Sequence, residues 1–64
     1  MSEQLRASIV EWLLDTVYGN VSNENTAIEI ERGLNAWTGA QLTGKLNVYY
    51  EGGLTQFIID NRYF

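Results

Sequence analysis

The sequence predicts a small two-layer α+β domain, in which an amphipathic N-terminal helix and a second helix cover a C-terminal antiparallel β-hairpin. Three observations support this fold class. Apolar residues recur at helical spacing near the N-terminus, and a weaker helical repeat follows in the middle of the chain. Near the C-terminus, two adjacent glycines separate runs rich in β-branched and aromatic residues. With 64 residues, the chain has the size of one domain, which we assign to residues 1–64.

The first predicted element is an amphipathic helix over residues 3–18, with Ser2 as its N-cap. Its apolar stripe consists of Leu5, Ile9, Leu13 and Val17, flanked by Val10 and Leu14. Trp12 lies at the margin of this apolar arc, which spans about 200° where a surface helix needs roughly 100°. Trp12 therefore belongs either to the core or to an interface with another chain. Gly19 is expected to end the helix in the left-handed conformation.

The second predicted element is a helix, although a strand competes for part of it. Ser22 or Asn23 can cap a helix that begins near Glu24, whereas a capping box beginning at Thr26 gives a later start. Residues 26–32 also alternate between apolar and polar side chains, as a half-exposed strand does. We prefer the helix because the helical spacing continues beyond this segment. Its apolar face consists of Ala27, Ile30, Leu34 and Trp37.

The third predicted element is a β-hairpin whose two-residue turn is Gly52-Gly53. One face of this hairpin is nearly continuous and apolar, with the cross-strand pairs Tyr50–Thr55, Val48–Phe57, Leu46–Ile59 and Leu42–Tyr63. The other face pairs Lys45 with Asp60, which carry opposite charges. A slip of one residue would place the two apolar rows on opposite faces, so the side chains favour this register.

The composition argues against catalysis and against metal or cofactor sites. The chain has no cysteine and no histidine, which excludes disulfides, zinc sites built on thiolate or imidazole, and the common nucleophile–base pairs. Carboxylate pairs such as Glu11 and Asp15 fall on a solvated helix face, where a general acid or base lacks a shielded pocket. We therefore expect no catalytic residues, no metal ligands, no cofactor and no enzymatic activity.

The charge and hydropathy patterns exclude two classes of partner. The formal net charge is −4 and the four basic residues are scattered, so direct binding of nucleic acid is not expected. No apolar run approaches the about 20 residues that span a bilayer, so a membrane is not expected either. The N-terminus lacks the basic and apolar regions of a secretory signal, and together with the absence of cysteine this predicts a cytoplasmic protein.

The surplus of apolar surface suggests a function in protein binding. Both edges of a two-stranded sheet offer unpaired backbone groups. In addition, the apolar arc of the first helix is wider than one packed layer can bury. We therefore predict a non-catalytic protein-interaction module, a small acidic modulator or inhibitor of the kind that phages encode, which binds a surface of a larger protein. The candidate partner-binding residues are Trp12, Tyr49, Leu54, Ile58, Tyr63 and Phe64.

Two alternatives stay open for the function. The first is a self-assembling structural protein, such as a homodimer, that associates through the hairpin edge or the first helix. The second is an acidic mimic of nucleic acid, for which the acidic residues would need to form a denser block than they do.

Overall fold

The computed structural model describes residues 1–62, and this part of the chain contains four α-helices and no strand. Helix α1 spans Glu3–Thr16, α2 spans Glu24–Ala36, α3 spans Gly39–Tyr49 and α4 spans Gly53–Asn61. The two predicted N-terminal helices are confirmed. The predicted α+β fold class is wrong, because α3 and α4 occupy the segment that we predicted to be a hairpin.

Helix α1 begins where its N-cap signal places it. The Ser2 hydroxyl oxygen accepts a hydrogen bond from the backbone N–H of Leu5 at 3.1 Å. The helix ends at Thr16, two residues before the predicted end. Gly19 does not adopt a positive φ, so the predicted left-handed stop is wrong. A Cβ at Gly19 would lie 2.3 Å from the carbonyl oxygen of Asp15, which shows that a close approach of the backbone requires the glycine.

Helix α2 is selected by its N-cap over the later start and over the strand. The Asn23 side-chain oxygen accepts hydrogen bonds from the backbone N–H of Asn25 at 2.9 Å and of Thr26 at 3.4 Å. This cap satisfies backbone donors that a start at Thr26 would leave to water. The predicted apolar face is confirmed, with Leu34 buried and the other three members half-buried, namely Ala27, Ile30 and Trp37.

Helix α3 replaces the first strand of the predicted hairpin, and a capping box starts it. The Thr38 hydroxyl oxygen accepts from the N–H of Gln41 at 3.2 Å, and the Gln41 side-chain oxygen accepts from the N–H of Thr38 at 2.9 Å. Leu42 and Leu46, four residues apart, are both fully buried. Val48, which the hairpin register placed on the same face as Leu46, is 73% exposed.

The two glycines do turn the chain, but between two helices. Gly52 and Gly53 have φ angles of 86° and 66°, and the N–H of Gly53 donates to the carbonyl of Tyr50 at 2.9 Å. The side-chain oxygen of Asn47 then accepts from the N–H of Leu54 at 2.9 Å, which satisfies a donor in the first turn of α4. The chain reversal at these glycines is therefore confirmed, whereas the strands on either side of it are wrong.

One hydrophobic cluster holds the four helices together. Helix α1 lies against α2 and α3, and α4 packs on α3. Half of the buried residues come from α1, and each of the other helices adds one or two; the cluster consists of Leu5, Ile9, Val10, Leu13, Leu34, Leu42, Leu46 and Phe57. Within the described range, none of the helices has the length and apolar character needed to cross a bilayer.

Candidate functional site

Three aromatic rings from three segments form a chain that leads from the core to the surface. The ring centroids of Trp12 and Tyr50 lie 5.1 Å apart at an interplanar angle of 70°, and those of Tyr50 and Phe57 lie 5.2 Å apart at 76°. Such edge-to-face pairs add about 0.5–1.5 kcal/mol each beyond the area that they bury. Phe57 is buried, whereas Trp12 and Tyr50 are half-buried. The core therefore fixes the position of two rings that reach solvent.

A hydrogen-bond network orients a carboxylate beside these rings. The Tyr50 hydroxyl donates to Oδ2 of Asp60, and the Gln56 side-chain amide donates to Oδ1 at 2.8 Å. The hydrogen bonds from Tyr50 and then from Gln56 lower the pKa of Asp60 below its usual value. The bond to Asp60 in turn raises the pKa of Tyr50. Asp60 is therefore a fixed negative charge at neutral pH.

The predicted pairing of Lys45 with Asp60 is wrong. The ammonium nitrogen of Lys45 lies instead 5.2 Å from the centroid of the Tyr49 ring, a cation–π geometry. The pairing depended on the hairpin register. In the helices, Asp60 lies four residues after Gln56 on α4, and that spacing brings the two side chains together.

These side chains border an open cleft, which we call the Trp12 cleft. Its cavity volume is about 570 Å³, and its lining consists of Trp12, Tyr49, Tyr50, Glu51, Gln56 and Asp60. Three of these six residues are aromatic and two are carboxylates. A cleft of this volume has the size of a ligand or side-chain pocket.

A smaller cavity of about 270 Å³ adjoins the Trp12 cleft and shares Trp12 with it. We call it the α1–α4 groove; besides Trp12 it is lined by Ser8, Glu11, Asp15, Phe57 and Asn61. The two cavities together contain four carboxylates, and no lysine or arginine lines either of them. Trp12 thus lies between two cavities that are each lined by two carboxylates.

A third cavity, on another part of the surface, has the opposite charge character. We call it the Trp37 groove; its volume is about 410 Å³ and its lining consists of Trp37, Gln41, Gly44, Lys45 and Val48. It contains one basic residue and no carboxylate. The two tryptophans of the chain therefore lie in different electrostatic surroundings.

Arg6 has a structural position that the sequence did not indicate. Its guanidinium Nη2 donates to the carbonyl oxygen of Asn35 at 2.7 Å and to that of Trp37, with a longer bond of 3.4 Å to Leu34. These carbonyls end α2, where a positive charge also complements the helix dipole. Because the partners lie 28 to 31 residues from Arg6, no local pattern could have found this contact.

The structure separates the predicted partner-binding residues into three groups. Trp12 and Tyr49 line the same cleft. Leu54 and Ile58 are half-buried, pack against the core and line neither the Trp12 cleft nor the α1–α4 groove. Tyr63 and Phe64 lie outside the described residues.

Sequence reasoning missed the polar half of the Trp12 cleft, namely Tyr50, Glu51, Gln56 and Asp60. The spacing of Gln56 and Asp60 by four residues is a usable signal, but only after α4 is known to be a helix. Residues 1–62 contain no group of three or more acidic side chains that could hold a metal ion. The site presents aromatic faces and carboxylates, which together suit the binding of apolar and cationic groups.

No protein-family model, curated protein or solved structure matches the chain. The geometry of the site is therefore the guide to its function.

Proposed function

We propose that the protein is a non-catalytic interaction module, a small acidic modulator or inhibitor, which binds a surface of a larger protein through the Trp12 cleft. The observation that supports this proposal is the position of Trp12. Its ring is held by the core on one side and borders two cavities on the other. Tryptophan and tyrosine in such partly enclosed positions dominate the energy of many protein interfaces. Because the chain contains no cysteine, it needs no oxidising compartment, and we assign the interaction to the cytoplasm.

Tyr49 adds a second aromatic contact to the proposed interface. Its side chain is 50% exposed and lines the Trp12 cleft. The preceding residue on α3, Val48, is 73% exposed and lines the Trp37 groove instead. Adjacent positions on one helix therefore sample the two surfaces, which gives a matched pair for experiments.

Site-specific photo-crosslinking tests the proposed interface. A benzophenone side chain replaces Tyr49 in one variant and Val48 in the other, and each variant is irradiated in an extract of the source cells. We expect a discrete crosslinked partner protein from position 49 and none from position 48. Excess unlabelled protein should abolish the crosslink. Equal crosslinking from both positions, or none from position 49, would contradict the proposal.

Self-assembly is the second candidate function, and the Trp37 groove favours it. Its lining includes Val48, the most exposed of the large apolar side chains in the described range. Association through a hairpin edge is no longer available, because residues 1–62 contain no strand. Sedimentation velocity across a wide concentration range separates the two functions. A dimer that Val48→Ser dissociates would support self-assembly, whereas a concentration-independent monomer would exclude it.

A further inference from the structure

The net charge of the chain is concentrated beside Trp12. Of the eight acidic residues, four line the Trp12 cleft or the α1–α4 groove, namely Glu11, Asp15, Glu51 and Asp60. The other four acidic residues are balanced by the four basic ones, which line neither cavity. Four carboxylates, equal in number to the formal net charge of −4, therefore border this one surface, and the ammonium of Lys45 lies at its edge over the ring of Tyr49. A surface of this kind selects a positively charged partner and accelerates its association.

Two of the hydrogen-bond donors that line the Trp12 cleft are directed at Asp60. The Tyr50 hydroxyl donates its hydrogen bond to Asp60, and the Gln56 side-chain amide also donates a hydrogen bond to Asp60. Glu51 and the remaining lone pairs of Asp60 act only as acceptors when ionised. The group that complements them is a cation with several N–H donors.

The aromatic rings of the cleft favour the same kind of ligand. Cations are attracted to the face of tryptophan more strongly than to that of other aromatic side chains. The chain provides its own example, because the ammonium group of Lys45 lies over the ring of Tyr49. Guanidinium groups stack on aromatic faces and pair with two carboxylate oxygens at once, which ammonium groups cannot do.

We propose that the occupant of the Trp12 cleft is an arginine side chain from a basic segment of the partner protein. Its guanidinium stacks on Trp12 and binds the carboxylates of Glu51 and Asp60. Further basic residues of the same segment lie along the α1–α4 groove, beside Glu11 and Asp15. This inference rests on the proposed function and specifies the chemistry of the partner.

Peptide binding tests the inference with a defined probe. A flexible peptide with three arginines separated by glycine and serine is compared with two matched peptides. One carries citrulline, which keeps the shape and removes the charge, and the other carries lysine. Binding is followed by tryptophan fluorescence in a Trp37→Phe background, which leaves Trp12 as the reporter. We expect the arginine peptide to bind about tenfold more tightly than either matched peptide, and added salt should weaken it.

A pair of charge reversals locates the binding site. Glu51 and Glu29 are both exposed, so Glu51→Lys and Glu29→Lys change the net charge equally without disturbing the core. We expect Glu51→Lys to weaken binding of the arginine peptide by about tenfold. Glu29→Lys, on α2 and outside both cavities, should weaken it by less than about threefold.

Several outcomes would overturn the arginine assignment. Equal binding of the citrulline or lysine peptide would do so, and so would equal losses from the two charge reversals. The proposed function fails by a different result, the absence of a crosslinked partner from position 49. If the partner crosslinks there but the arginine peptide does not displace it, the interaction module stands and the arginine assignment is wrong.

Discussion

The two ends of α3 differ in how the molecule uses charge. At its N-terminal end, the guanidinium of Arg6 donates to the carbonyl oxygens of Asn35 and Trp37, and a capping box satisfies the first turn of α3. At its C-terminal end, about 16 Å away along the helix, carboxylates line the two cavities beside Trp12, and Lys45 lies at their edge over the ring of Tyr49. Charge at the first end stabilises the fold, whereas charge at the second end is presented to solvent.

The same difference separates the two tryptophan surfaces. The Trp37 groove contains Lys45 and no carboxylate, whereas the Trp12 cleft contains two carboxylates and no cation. Two residues of the same type can therefore have different functions, because the charges around them differ. We expect changes of charge at the first end to alter mainly stability, and changes of charge at the second end to alter mainly binding.

The largest effect on stability is expected at the glycine turn that follows α3. Gly53→Ala should lower the free energy of unfolding by about 2 kcal/mol, because Gly53 has a φ of 66° and a Cβ would lie 2.4 Å from the side-chain oxygen of Asn47. Gly44→Ala, on α3 where a Cβ meets no atom within 4 Å, should instead raise it by about 0.5–1 kcal/mol. Urea denaturation measures both. Equal effects of the two substitutions on the free energy of unfolding would show that the positive φ at position 53 does not require glycine.

A smaller loss is expected at the other end of α3. Arg6→Met keeps most of the side-chain length and removes the cation, and it should lower the free energy of unfolding by about 1.5 kcal/mol. Arg32→Met is the control, because Arg32 is exposed on α2 and its loss should change stability by less than about 0.5 kcal/mol. Thermal unfolding followed by circular dichroism distinguishes the two. If both substitutions have the same effect, Arg6 does not stabilise the end of α2.

The smallest effect is a pH-dependent one at the Tyr50–Asp60 hydrogen bond. The pKa of Asp60 is lowered in the folded protein. The stabilisation of the folded state by the ionised Asp60 is therefore present above the ordinary carboxyl pKa of about 4, and it is lost as pH falls through the lowered value. The pKa of Tyr50 is raised, so the bond also weakens as pH rises beyond about 10. The melting temperature of Tyr50→Phe should lie below that of the wild type at neutral pH and converge with it at both extremes.

Tyr49→Phe is the matched control for this pH dependence, since no hydrogen bond joins Tyr49 to Asp60 in the described part of the chain. Its melting temperature should follow that of the wild type at every pH. A constant offset between Tyr50→Phe and the wild type would mean that the hydroxyl acts through packing and not through the carboxylate.

The sequence by itself determined α1, α2 and the position of the last turn. Each of these depends on signals only a few residues apart. Ser2 and Asn23 cap the helices that follow them, the apolar residues of α1 recur every three to four positions, and Gly52-Gly53 permits positive φ. Backbone hydrogen bonds within a helix close over four residues, so a short stretch of sequence contains enough information to predict them.

The last third of the chain was ambiguous, because its side chains fit two periods. Alternation placed Leu46 and Val48 on one face of a strand, whereas helical spacing places Leu42 with Leu46 and leaves Val48 exposed. The capping box at Thr38 and Gln41 favoured the helix and went unused in the prediction. Tertiary packing decided between the two, because helices bury Leu42, Leu46 and Phe57 in one cluster with the apolar residues of α1, while a lone hairpin would leave both edges unpaired.

Only the tertiary structure assembled the candidate site. The sequence identified Trp12 and Tyr49 as aromatic candidates, but Asp60 joins them only because α4 folds back along α3. Arg6 likewise meets the end of α2 across about 30 residues of sequence. Contacts of this kind arise from burial of apolar surface, which is non-directional and sums over the whole chain, so no local pattern contains them.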